Sequence, residues 1–217
     1  MSNIIQLRQL LAEKFPGMRT HAEQLQAPRS NCWLSGIPQL DELTGLGKGA
    51  ITEIVSERPG AGSTFLLCSI LQRAAEQQQL SAFVDGSDSL DATQLEPAVL
   101  SRLLWVRCRT AQEALKATDL LLRDGNLPLV LLDLAGNPPA QFHQIPATTW
   151  YRLQRIVEQS STVCIALTPR PMVGPAETRI FLRSQFNLDA MERDAEELLG
   201  ELELEVAEEA GAALAEA

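Results

Sequence analysis

Five short apolar runs spaced by helical patterns constrain the fold of this chain more than any other feature. They are "AITEIV" (50–55), "SAFVD" (81–85), "RLLWVR" (102–107), "PLVLLDL" (128–134) and "TVCIAL" (162–167). Helical periodicity fills 64–79, 92–100, 110–124 and 147–160 between them. Strands alternating with amphipathic helices make βαβ units, so the chain reads as an α/β protein with a mostly parallel sheet flanked by helices. "VLLDL" is apolar on both faces and predicts a central strand. "TRIFLRSQF" (178–186) predicts a later one. Beyond it, "LDAMERDAEELLGEL" is helical in period while "ELELEV" alternates like a strand, and both readings stand.

The two ends differ from this middle. Ile4, Leu7 and Leu11 fall on one face of a short N-terminal helix that "FPG" stops, and a polar linker follows. Such a helix is too short to be stable alone, so those three residues are candidate docking residues. The net charge of -10 sits entirely at the other end, where residues 189–217 hold eleven acidic residues and one Arg. The expected organisation is an N-terminal helix and linker (1–29), a core (30–188) and an acidic C-terminal segment (189–217), with the Ala- and Glu-rich last ten residues disordered. No apolar run approaches the roughly 20 residues that span a bilayer. The N-terminus lacks the uninterrupted apolar stretch of a signal peptide. Four scattered cysteines and two isolated histidines predict a reduced, cytoplasmic setting and no metal site.

"VSERPGAGSTFLL" (55–67) stands where a phosphate loop belongs, between an apolar strand and an apolar helix. A working loop reads G-x-x-x-x-G-K-[ST]: backbone N–H groups wrap the phosphates, the Lys neutralises them and the hydroxyl holds magnesium. Here Gly62 and Thr64 match, Ser63 occupies the lysine position, and Glu57 occupies the first glycine position, with Gly60 between. A lost charge-assisted bond is worth roughly 1.5–3 kcal/mol. A carboxylate about 4 Å from a phosphate adds up to ~4 kcal/mol of repulsion at an effective dielectric near 20. Micromolar binding totals only about 8 kcal/mol. ATP and magnesium binding are therefore not expected, and the turn reads as structural.

The residues before the loop carry a family resemblance. "LSGIPQLDELTGLGKGAITEIVSERPGAGST" (34–64) resembles the opening of the RecA-type ATPase core, with Gly36, Leu40, Asp41, Gly45, Gly47, Gly49, Glu53 and Ile54 in matching places. "AFVDGSDSLD" (82–91) resembles that family's second core strand and the segment after it. The resemblance puts the water-activating glutamate position on Ser87, with Asp88 one place away as a partial substitute. "LVLLDL" resembles the Walker B strand, with Asp133 at the magnesium-facing position. Without the lysine, a hydrogen bond from Thr64 to Asp133 is expected. "SRLLWVRCRTAQEALKATDLLLRDGNLPLVLLDL" (101–134) is similar to a block of ImuA-type proteins, RecA-like accessory proteins of bacterial mutagenic repair. SulA-type division inhibitors share a reduced RecA-like core and compete with that reading.

The resemblance implies a catalytically silent RecA-like accessory protein of the DNA-damage response and translesion synthesis, acting through protein contacts and not as an enzyme. Its implied partners are RecA, translesion polymerase components or a second copy of itself, in the cytoplasm or at the nucleoid. Single-stranded DNA is a further candidate partner. Arg102, Arg107, Arg109, Arg152 and Arg155 read equally as a phosphate-contacting surface or as solvated charges. The alternative functions are a weak ATP-dependent DNA-repair enzyme and a SulA-like inhibitor of cell division.

Overall fold

The computed structural model describes residues 31–207 apart from 188, 191 and 192. The candidate docking residues Ile4, Leu7 and Leu11 lie outside the described residues, as does the tail from 208. The strands are β1 (Cys32–Trp33), β2 (Leu46–Gly47), β3 (Ala50–Val55), β4 (Ser81–Asp85), β5 (Leu103–Arg107), β6 (Leu129–Asp133), β7 (Val163–Thr168), β8 (Thr178–Leu182) and β9 (Leu204–Val206). The helices are α1 (Pro38–Leu43), α2 (Ser63–Glu76), α3 (Pro97–Leu100), α4 (Ala111–Asp124), α5 (Pro139–Phe142), α6 (Ala147–Val157) and α7 (Ala195–Gly200). β3 to β9 form one seven-stranded sheet in the order β5-β4-β6-β7-β3-β8-β9, all parallel except β9. β1 and β2 pair antiparallel as a separate ribbon.

Strand composition follows position in that order. β3, β4, β6 and β7 are buried at every residue, as strands covered on both faces must be. β5 closes one edge and is only partly buried. On one face, Leu66, Ile70, Leu71 and Ala74 of α2 pack with Ile54, Phe83, Leu131 and Ile165. On the other, Ala114 and Leu115 of α4 and Trp150, Leu153 and Val157 of α6 pack with Ile51, Val84, Val130 and Cys164. These contacts are the packing consequence of the 3.6-residue period in each helix.

Local chemistry sets the helix ends. The Thr110 hydroxyl accepts from the Glu113 N–H at 3.2 Å, and the Glu113 carboxylate reaches back to the Arg109 N–H at 2.9 Å, a close relative of the capping box. Gly125, left-handed with φ 69°, terminates the same helix. The 92–100 pattern resolves into a 3-10 turn (Ala92–Gln94) and the single turn of α3, because Pro97 can begin a helix but not continue one.

The C-terminal boundary differs from expectation. The strand expected over 178–186 ends at Leu182, and of the expected helix over 188–202 the described part is α7. β9 then pairs antiparallel with β8 (Ile180 opposite Val206, Leu182 opposite Leu204), so the sheet extends past 188 to Val206. Both readings of this stretch hold, one after the other. Glu205, the acidic residue of β9, points outward, while Leu202 is buried and Leu204 and Val206 pack onto the core. Among the described residues, no helix is long and apolar enough to cross a membrane.

Candidate functional site at the phosphate turn

The turn 56–62 leads from the C-terminal end of β3 into α2, with Gly62 at the N-cap. Gly60 (φ 78°) and Gly62 (φ 88°) both take left-handed backbone, which only glycine adopts freely. The helix N-terminus directs unpaired N–H groups and positive dipole at this spot, the arrangement that binds anions elsewhere.

Here the protein itself crowds both glycines. A Cβ added at Gly62 would lie 2.7 Å from Leu202 Cδ2 and 2.8 Å from Phe186 Cε2. One added at Gly60 would lie 2.8 Å from the Phe186 carbonyl oxygen. The Phe186 N–H donates to the Gly60 carbonyl at 2.8 Å, and the Phe186 ring meets Phe65 edge-on with centroids 5.9 Å apart. Glu57, read from sequence as a charge that repels phosphate, instead accepts from Arg183 Nη1 at 3.2 Å, and Arg183 Nε also reaches Glu205 at 2.6 Å. Burial of Gly62 by two hydrocarbon side chains and serine at the lysine position do not fit a nucleoside triphosphate with magnesium. Arg58, exposed, is the basic residue within the turn.

Two aspartates end adjacent strands, Asp85 on β4 opposite Asp133 on β6, with β7 between β6 and β3. Asp85 is fully buried and accepts from the N–H groups of Ser87 (3.3 Å), Ser89 (3.0 Å) and Leu90 (2.9 Å), which fixes the loop after β4. Asp133 accepts from the Ala135 N–H at 2.9 Å. The expected bond from Thr64 is not among its contacts: Thr64 is exposed on the first turn of α2, and the loop after β6 supplies the donor instead. Burial pushes the Asp133 carboxyl up to about 6; the Ala135 hydrogen bond opposes this and neighbouring Asp85 adds to it.

The other positions read from sequence scatter. The Ser87 hydroxyl lies 3.1 Å from that of Ser89 and sits over Gly136, where a Cβ would come within 2.4 Å of it. Asp88, the partial substitute for the missing glutamate, is instead paired with Arg107 at 2.5 and 2.8 Å. The Arg107 hydrogen bond holds its carboxyl below the usual range. Arg107 also lies over the Trp105 ring, 5.2 Å from its centroid. Arg102 precedes β5 at the opposite end of the strand and donates to Gln78. Arg109 follows β5, near the N-terminus of α4. Arg152, on α6 with Arg155, pairs with Asp119 at 2.9 Å. Arg102 and Arg107 are thus at opposite ends of the edge strand β5, and the two α6 arginines are on the helical layer over β3.

Sequence reasoning missed the partners from the far end of the chain. Glu53, fully buried on β3, accepts from Thr168 Oγ1 (3.0 Å), the Met172 and Val173 N–H groups (2.8 and 3.0 Å) and Arg179 Nε (2.5 Å). Arg179, Arg183 and Phe186 all belong to "TRIFLRSQF". The alternation of Arg179, Phe181 and Arg183 with buried Ile180 and Leu182 was the available signal for their direction, but not for their partners.

No family model matches this chain. Over 104 residues it is 32% identical to the protein RecA of Francisella philomiragia, covering 46% of this chain and 29% of that relative. It is 33% identical over 104 residues to the protein RecA of Francisella tularensis subsp. novicida, again over 29% of its length. The chain therefore spans less than a third of the curated relatives it matches. Together, the parallel sheet and this partial match support placing the core in the RecA-like superfamily.

Proposed function

We propose that this chain is a catalytically silent RecA-like accessory protein of the DNA-damage response, acting in translesion synthesis by protein–protein contact. The observation that carries the reading is the phosphate turn, where Ser63 replaces the cation and Phe186 with Leu202 covers Gly62. The loss of a carboxylate at Ser87 and the engagement of Asp88 with Arg107 point the same way, because a water-activating base must be available to the water. Partial similarity to RecA supports the DNA-repair setting, and the translesion role rests on the ImuA-type block at 101–134. RecA, a translesion polymerase component or a second copy are the partners this reading carries, with single-stranded DNA a further one.

Phosphate release from ATP, measured with and without single-stranded DNA, tests the silent state. No turnover above buffer is expected. Turnover abolished by Asp133→Asn would overturn the reading in favour of a weak ATPase, for which Arg58 is the available cation. Proteins that co-purify after DNA damage test the setting, and capture of the division machinery alone would favour an inhibitor of the SulA type.

A further inference from the structure

The phosphate turn keeps both of its glycines while lacking its cation, and the residues that touch those glycines come from one place. Four contacts join the turn to residues 183–186 and 202–205. Arg183 bridges Glu57 to Glu205. The Phe186 N–H closes on the Gly60 carbonyl. The Phe186 ring and the Leu202 methyl group lie against Gly62. These two stretches are tied to each other as well: the Arg183 N–H donates to the Glu203 carbonyl at 2.9 Å, and the Ser184 hydroxyl accepts from the Glu203 N–H at 2.9 Å. From the other side, Gln39 of α1 donates to the Leu199 and Gly200 carbonyls at 3.2 and 2.9 Å.

We infer that the protein's own residues 183–186 and 202–205 occupy the phosphate turn in place of a nucleotide, and that these residues and a nucleotide exclude each other. The inference deepens the silent reading and rests on it. It explains the pattern of loss and retention across the turn. Gly60 and Gly62 remain because any Cβ there would collide with Phe186 or Leu202, within a distance that non-bonded carbon and oxygen atoms do not approach. Glu57 is tolerated because its carboxylate has a guanidinium to face instead of a phosphate. Ser63 is tolerated because a hydrocarbon cover needs no cation. The turn thus remains shaped without a ligand, with Phe186 and Leu202 against the N-cap glycine of α2.

Titration of the full chain with a fluorescent ADP analogue and magnesium tests the exclusion. Ser63→Lys alone restores the missing cation and is expected to bind no tighter than the unsubstituted protein. Ser63→Lys combined with Phe186→Ala and Leu202→Ala is expected to bind at least tenfold tighter. Equal affinity of the two variants, or no binding by either, overturns the inference. Because the triple variant removes packed side chains, hydrogen exchange on the unsubstituted protein gives a second reading. The Phe186 amide should exchange as slowly as the amides of β9, and saturating ADP with magnesium should leave that rate unchanged. Fast exchange at Phe186 with no ATP turnover would overturn the occupied turn yet leave the silent reading standing, whereas ATP turnover would remove both.

Discussion

Glu53 and Asp133 are both buried carboxylates on central strands, β3 and β6, which flank β7. They face opposite sides of the sheet and live in different circumstances. Glu53 accepts four hydrogen bonds, one from a guanidinium, and thereby pins the loop after β7 and the start of β8 to the sheet. Asp133 accepts one, from its own loop, and has a second carboxylate as its neighbour across the ladder. Charge burial is tolerable when donors and an opposite charge replace water, and costly when they do not. Glu53 therefore reads as an architectural anchor. Asp133 is a charge held where the fold gives it little return.

The largest effect should come from breaking the satisfied site. Arg179→Met leaves Glu53 buried with its charge unpaired and should cost about 3–5 kcal/mol of unfolding free energy, read from urea titration. Adding Glu53→Gln to that variant should return part of the loss, because the two residues share one interaction. Additive losses would show that Glu53 is satisfied by its backbone donors alone.

A smaller effect of opposite sign is expected at the unsatisfied site. The folded-state pKa of Asp133, about 6, lies above the ordinary Asp value of about 3.9. Stability associated with the protonated form is therefore fully present below about pH 4 and lost as pH rises through 6. Asp133→Asn, which cannot ionise, should be more stable than the natural protein at pH 8 by about 2–3 kcal/mol and equal to it at pH 4. A stability difference that does not change between those pH values would show that Asp133 is solvated or paired in solution.

The smallest effect should come from Arg183→Gln. Its two ion pairs are exposed, and such pairs contribute little through solvent screening and side-chain entropy. The melting temperature should stay within experimental error. A clear drop would mean that the cover on the turn depends on charge and not on Phe186 and Leu202.

Much of the fold was legible in the chain. The strands over 50–55, 81–85 and 128–134 stood out because they are buried on both faces and so are mostly apolar, with Glu53, Asp85 and Asp133 as the charged exceptions. The helix over 111–124 announced both ends through Thr110 with Glu113 and through Gly125. Less was legible where an element is short or borrows its partner. α3 and α5 are single turns begun at Pro97 and Pro139, whose stability is tertiary and leaves little periodicity. At the site, the positions Glu57, Gly60, Gly62, Ser63 and Thr64 were found from spacing, since a strand, a turn and a helix in succession are local, and Asp133 was placed by the resemblance of its strand to a Walker B strand. What Glu57, Gly62 and Asp133 touch was not found, because the partners are remote or replace one another.

Apart from the Ser87 assignment, which rested on the family resemblance, the sequence by itself determined an α/β sheet, the place of the phosphate turn, and a serine where its lysine belongs. Periodicity and residue identity are local properties, and these conclusions needed nothing else. Only the tertiary structure decided that Glu57 faces Arg183, that Asp88 faces Arg107, and that Phe186 and Leu202 fill the space at Gly62. Glu57 and Arg183 lie 126 residues apart along the chain. The side chain that ends up against a glycine is set by how the sheet edge and the last strand pack, and neither neighbour carries a mark of the other in its own segment.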